Sequence, residues 1–187
     1  MTSTRARLEE VIARLVRAIR NVAAEGGFPQ VDPQPGAPAS EQQIEEYEEF
    51  LGRRLPDSYR EFLSLHDGFE WLAYPGHMLS IQDLMPGSPT YDRIIRWKKM
   101  TAEYGGAEVL DGIVIAPLGE PNDWVYLDPN QPTGPRELTV VAHYPNDSHT
   151  FEDLVAFFEN RIEYCAVAAD LERELKSGKP EDERSDG

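Results

Sequence analysis

The stretch Ser40–Phe69, SEQQIEEYEEFLGRRLPDSYREFLSLHDGF, constrains the fold of this chain more than any other. Its spacing predicts two short helices, a tight turn between them and a strand after. Ser40 with Gln43 three residues on has the pattern of a capping box, in which each side chain satisfies an orphan backbone N–H. Ile44, Tyr47 and Leu51 recur at helical spacing as an apolar stripe, while Glu41, Glu45, Glu46, Glu48 and Glu49 take the opposite face. Gly52 fits the left-handed position that ends a helix, because it has no Cβ to clash. Pro56 fits the first turn of a second helix, where its missing N–H costs nothing. Tyr59, Phe62, Leu63 and His66 form the second stripe, and Asp67-Gly68 is a turn signal that closes it.

Ile44, Glu48, Leu51-Gly52, Leu55-Pro56, Tyr59, Phe62-Leu63 and Gly68 together resemble the SMI1/KNR4 family of the SUKH superfamily. The pattern is I-x3-E-x2-L-G-x2-L-P-x2-Y-x2-F-L. The order of elements after it extends the likeness to about Phe158. Phe69 departs from the pattern, standing where the family often has a second glycine. The resemblance implies an α+β domain that binds proteins and is not an enzyme. Bacterial members act as immunity proteins that bind and neutralise a cognate toxin, often a nuclease or a deaminase. The fungal branch implies the alternative, a regulatory scaffold in cell-wall and signalling control.

Charge narrows the partner. The net charge is −16, which argues against nucleic acid, whose phosphates would be repelled, and for a basic protein partner. Between Glu103 and Asp170 thirteen acids face only Arg136 and Arg161, whereas Arg93, Arg96, Lys98 and Lys99 make a local basic run. Such acidic runs are more often solvated surface than docking face. At 187 residues the chain supports one domain with a sizeable core. No apolar run approaches the ~20 residues of a membrane span, and the arginine-broken N-terminus does not read as a signal peptide. A single cysteine, Cys165, leaves no internal disulfide and favours a cytoplasmic location.

In chain order, Leu8, Val11, Ile12, Leu15, Val16, Ile19, Val22 and Ala23 predict an amphipathic helix within residues 1–25. It is expected to pack on its own domain or to form a homodimer through its stripe; a membrane-surface role is weakened by Glu9, Glu10 and Glu25. Residues 26–39, rich in proline and glycine, read as a linker that lets this helix swing. Residues 40–177 form the SMI1/KNR4-like domain, and 178–187 an acidic disordered tail. Within the domain, FEWLAY after Gly68 reads as a strand and His77–Ile81 as its hairpin partner. A helix is expected from Tyr91 to about Tyr104, capped by Thr90. Ile113–Ala116, Trp124–Leu127 and Leu138–Ala142 read as strands, with turns at Pro121-Asn122-Asp123 and Asp128-Pro129-Asn130. Thr150 is expected to cap a last helix whose buried face holds Leu154, Phe157, Phe158, Ile162, Cys165 and Ala169. The fold class is therefore α+β, a mixed or antiparallel sheet of about five strands with helices on one side and an extra N-terminal helix.

Catalytic patterns are missing. His66, His77, His143 and His149 have no metal-ligand spacing, and no cofactor or metal site is expected. His66 reads as a core-edge residue, and His143 and His149 flank one loop where they could converge. Cys165 lies on an apolar stripe, the setting of a buried inert thiol. Asp147-Ser148-His149 has triad residue types at a spacing that rarely gives triad geometry. A small hydrolase stays the remote third class. A binding face needs aromatic anchors within a charged rim, apolar area for affinity and charge for steering. Trp71 and Trp124 stand beside acids near turns and are the expected anchors, with Glu70, Glu120, Asp123, Asp128 and Asp147 as the rim.

Overall fold

A computed structural model describes residues 3–30 and 32–177. The expected acidic tail at 178–187 lies outside the described residues. The order is α1 (Thr4–Ala24), α2 (Glu41–Leu51), α3 (Asp57–Leu65), β1 (Phe69–Ala73), β2 (Gly76–Met78), α4 (Ile81–Leu84) and α5 (Pro89–Glu103), then a 3₁₀ turn (Ala107–Leu110). It continues with β3 (Ile113–Pro117), β4 (Trp124–Gly134), β5 (Glu137–Tyr144), β6 (Asp147–Phe151) and α6 (Leu154–Ser177).

The helical hairpin forms as its sequence dictates. The Ser40–Gln43 capping box is closed, and Gly52 ends α2 at a φ of 66°. Glu48 ties the turn: its carboxylate accepts the Leu55 N–H at 2.9 Å and pairs with Arg60 at 2.9 Å. Pro56 sits at the N-cap of α3, one position before the expected first turn. Tyr59, Phe62 and Leu63 are fully buried, with Phe62 against Phe158 of α6 and stacked parallel to Tyr59.

Strands pair antiparallel as a two-stranded sheet, β1-β2, and a four-stranded sheet, β3-β4-β5-β6. The α+β class and the antiparallel pairing match the expectation, with two refinements. Six strands divide between two sheets, joined by the Leu79 N–H donating to the Ile115 carbonyl at 2.9 Å. Helices flank the larger sheet on both faces: Trp97 of α5 lies against Trp124, Tyr126 and His143, whereas Phe157 of α6 meets Phe151, which points the other way.

Other expectations need correction. Ser80 and Asp83 form a capping box that starts α4 where a strand was expected to continue to Ile81. Ser88, not Thr90, caps α5. Asp128-Pro129-Asn130 is not a turn; β4 runs through it with an irregular register and reverses after Gly134. Thr150 does not cap the last helix but belongs to β6; Asp153 accepts the Ala156 N–H at 2.8 Å instead. Repeated short, polar segments such as DSHTF carry too little apolar alternation to announce a strand.

The N-terminal helix is part of the same core. Leu8, Leu15 and Ile19 are fully buried, and α1 lies mainly along α6. Its arginines meet acids on either side of that seam: Arg5–Glu61, Arg7–Asp153 and Arg14–Glu159. The stripe is spent within the chain, so it no longer motivates a homodimer. Residues 26–39 do not leave α1 free to swing. Gly36 donates to the Gly68 carbonyl and accepts no Cβ there, since one would lie 2.2 Å from the Asp67 oxygen. Asp67 and Glu70 donate back to Ala37 and Gln34, so the segment runs bonded beside the start of β1.

Phe62→Ala removes a ring from the centre of this packing and is expected to cost about 3–5 kcal/mol in denaturant melts. A midpoint within about 0.5 kcal/mol of the parent would show that α3 is not core.

Candidate functional site

An open cleft of about 830 Å³ lies between α6 and the turns at one end of the sheets. Leu118, Pro75, Tyr144, Phe28, Tyr164 and Val167 supply its apolar lining. Glu120, Asp123, Asp147 and Glu163 stand around it as carboxylates. Each reaches the cleft for a local reason. Gly119, at φ 97°, turns the chain after β3 and presents Glu120. Asp123 closes that turn, with its N–H on the Glu120 carbonyl and its own carbonyl accepting from Leu118. Tyr144 and Asp147 are paired across the two-residue turn between β5 and β6.

Of the expected site residues, Glu120, Asp123 and Asp147 therefore converge. Trp71 stands at the edge of this region. Trp71 is half-buried and packs edge-on to Phe28 at 4.6 Å, which places it beside the cleft without lining it. Its backbone takes a φ of 66°, a conformation side-chain-bearing residues rarely adopt. The Trp71 N–H donates to Nδ1 of His77 at 3.1 Å and the two rings pack at a tilt, 4.5 Å between centroids, which holds the strained position. Glu70 is exposed on β1.

Trp124 and Asp128 are misplaced by the sequence reading. Trp124 is 1% exposed, under α5, with its indole N–H on the Pro121 carbonyl, so it is no surface anchor. Asp128 is equally buried and ties its own chain, accepting from Asn130 N and Gln131 Nε2. The reason is that the sheet is covered on both faces there: every residue from Trp124 to Asp128 is buried, so standing beside an acid or a turn brings no exposure. The residues missed were Tyr144, Tyr164, Phe28 and Val167. Their signal was a large apolar side chain at a position off the buried stripe of its element.

Of the other chemistry-bearing groups, His149 lines the cleft, 3.4 Å from the Asp147 carboxylate. His143 and His149 do not converge: in register His143 faces Ser148 and His149 faces Ala142, on opposite sides of the sheet. His66 is half-buried between Phe62 and Phe69, at the core edge as expected. Burial pushes the Cys165 thiol up to about 12, far from a reactive thiolate. Lys98 is withdrawn from the basic run; its ammonium donates to the carbonyls of Leu110 and Gly112, and burial pulls it down to about 8. Among the described residues no cluster of His, Cys, Asp and Glu is placed to hold a metal ion, and no helix is long and apolar enough to cross a membrane.

Electrostatics in the cleft favour a cation. Burial and the neighbouring Glu120 raise the Asp123 carboxyl above its ordinary value, with His143 opposing. Beneath the rim lies Arg161, 4% exposed, with its guanidinium over the rings of Phe157 and Tyr164. It donates to Asn160 Oδ1, and its Nε is buried without a hydrogen-bond partner.

The model of the SMI1 / KNR4 family (SUKH-1) matches residues 38–170. The chain belongs to this family. No curated protein matches the sequence.

Burial lowers the pKa of His66, His77 and His143 from the ordinary 6.5, so the folded chain binds fewer protons there than the unfolded chain. Stability therefore rises with pH through the window below 6.5 and is lost on acidification. Asp123 and Asp67, raised from 3.8, act oppositely in the window just above that value. Urea midpoints are expected to fall between about pH 7.5 and pH 6, nearer the histidine window than the carboxylate one. Equal midpoints would contradict the lowered pKa of these half-buried histidines.

Proposed function

We propose that this protein is an immunity protein, which binds a cognate bacterial toxin of the nuclease or deaminase class through the acid-rimmed cleft and neutralises it. It acts by binding alone, without turnover, and in the cytoplasm where such a toxin does its damage. The observation that carries this reading is the convergence of Glu120, Asp123, Asp147 and Glu163 around an apolar lining that includes Tyr144 and Tyr164. Membership of the SMI1/KNR4 family supports a protein-binding module in general. The chemistry of the cleft supports a basic surface as the thing bound.

The physics of the two parts differs. Enzymes that act on nucleic acid carry basic surfaces for phosphate, and a carboxylate rim on a neutralising partner competes for them. Rim charges act mainly on encounter, whereas the buried aromatic contacts set the rate of release. In this reading Glu70 and Trp71 extend the contact past the cleft.

Capture of the product of the adjacent gene by the tagged protein identifies the partner, and a biosensor titration across salt then tests the rim. The association rate is expected to fall steeply as the Debye length drops from about 10 Å at 0.1 M to about 3 Å at 1 M. Glu120→Gln, Asp123→Asn and Asp147→Asn together are expected to slow association by about tenfold while the fold stays intact. A salt-independent association rate, or an unchanged rate in the triple variant, would sink the acidic-rim reading.

A further inference from the structure

Two apolar faces run along α6, and the fold uses one. Leu154, Phe158, Cys165 and Ala169 point inward against α1, α3 and the sheet and are buried. Tyr164, Val167, Leu171 and Leu175 recur at i, i+3, i+7 and i+11, a second helical stripe. They are 48%, 69%, 55% and 67% exposed. Tyr164 and Val167 line the cleft together with Phe28, itself exposed, so the stripe leads out of the cleft along the helix. Single exposed apolar side chains need no explanation, but a contiguous line of them beside a cleft marks an interaction surface. The sequence at 178–187, GKPEDERSDG, has no large apolar side chain with which to cover it.

Charge sets the occupant. Glu163 and Asp170 border the stripe on α6, and Glu120, Asp123 and Asp147 border the cleft. Of the nearby cations Arg173 bonds Glu25 and Asp170 and Arg161 is buried, while Lys176 stands exposed next to Leu175. A second copy of this chain, at net charge −16, would bring acidic borders against acidic borders. An anionic membrane is repelled for the same reason.

We propose that the stripe and the cleft form one docking groove for a basic amphipathic helix of a partner protein. Apolar side chains of that helix seat on Tyr164, Val167, Leu171 and Leu175, and its Lys and Arg side chains reach the acidic borders. Anchors at i, i+3, i+4 and i+7 are the mode in which a helix reads such a groove. From Tyr164 to Leu175 the stripe is about 16 Å long, three turns of helix. The proposal rests on the partner-binding reading above and adds the shape and chemistry of the segment bound. Leu171 and Leu175 lie beyond the residues matched by the family model, so this half of the groove belongs to the chain's own sequence.

Fluorescence anisotropy with the full chain tests it. One probe is a synthetic Leu/Lys peptide of about 18 residues, five turns of helix, with leucines on one face; the other has the same composition in scrambled order. The amphipathic peptide is expected to bind at least about tenfold more tightly. Leu171→Ser with Leu175→Ser, both exposed positions, is expected to remove that advantage and leave the scrambled peptide's binding unchanged. Equal binding of the two peptides, or an advantage that survives the double variant, overturns the proposal. So does a dimer in sedimentation velocity that the double variant dissolves, since the stripe then belongs to a second copy. If the triple acid variant weakens the identified toxin's binding but the Leu171/Leu175 variant changes nothing, the groove fails and the immunity reading stands. A toxin that associates equally fast with the parent and the triple acid variant defeats the acidic-rim reading whatever the peptides do.

Discussion

Gly76 lies so close to the Pro117 carbonyl that no other residue fits there. A Cβ on Gly76 would stand 1.7 Å from that oxygen, well inside any real contact. This approach, with the Leu79–Ile115 hydrogen bond beside it, welds the β1-β2 hairpin to the edge of the larger sheet. Everything at the cleft end follows from the weld. Pro75 is brought against Gly119, where a Cβ would meet the proline ring at 3.2 Å. The turn that carries Glu120 and Asp123 is thereby fixed beside Tyr74, whose buried ring packs on Tyr164 of α6. A backbone contact thus sets the distance between the carboxylates and the aromatic side of the cleft.

Alpha-helix α6 serves as the other reference frame. Its inner face collects α1, α3 and the sheet, so burial there is shared between the family domain and the helix that precedes it. The ion pairs along the α1–α6 seam are partly exposed, and pairs open to solvent contribute little to stability. Their effect is to set register, because each arginine finds an acid only in one alignment. The apolar stripe supplies the free energy, about 25 cal/mol for each Å² removed from water. A long-range tie of another kind holds α3. The Glu137 carboxylate accepts both the N–H and the hydroxyl of Ser58, at the helix's positive end.

What the sequence made legible was local. The Ser40–Gln43 capping box, the Gly52 stop and the stripes of α1, α2, α3 and α6 are short-range patterns and were found, whereas the Ser80–Asp83 box was not. The Glu137–Ser58 tie spans the chain, and no spacing announces it. Thr150 looked like a cap because it precedes an apolar run at the right distance, yet β6 pairing claimed it first. Trp124 and Asp128 looked exposed because acids and turns surround them, but exposure in a strand depends on parity and on what covers each face. Asp123 lies in the turn before β4 and is half-buried, whereas Trp124 opens a stretch that is covered on both faces. Trp71 was placed near the open region by the same reasoning, and a φ no sequence rule predicts puts it there.

The placement of Arg161 explains how so many carboxylates share one cleft. Glu120, Asp123, Asp147 and Glu163 carry like charge around one cleft, and the Asp123 carboxyl is raised there by burial first and by Glu120 second. The Arg161 guanidinium lines the same cleft with the opposite charge. It is held there by two aromatic faces instead of a carboxylate of its own, which leaves its charge uncommitted toward the rim. The balance is incomplete: one buried cation stands against four acids, one of which already shares His149. In the proposed complex a partner cation supplies the remainder, and does so more strongly as the partner excludes water, since the same charges interact several-fold more strongly at lower effective dielectric. A small ion cannot dry the cleft. A basic segment with apolar side chains can, so the acids and the aromatic lining reinforce each other only for a partner that brings both.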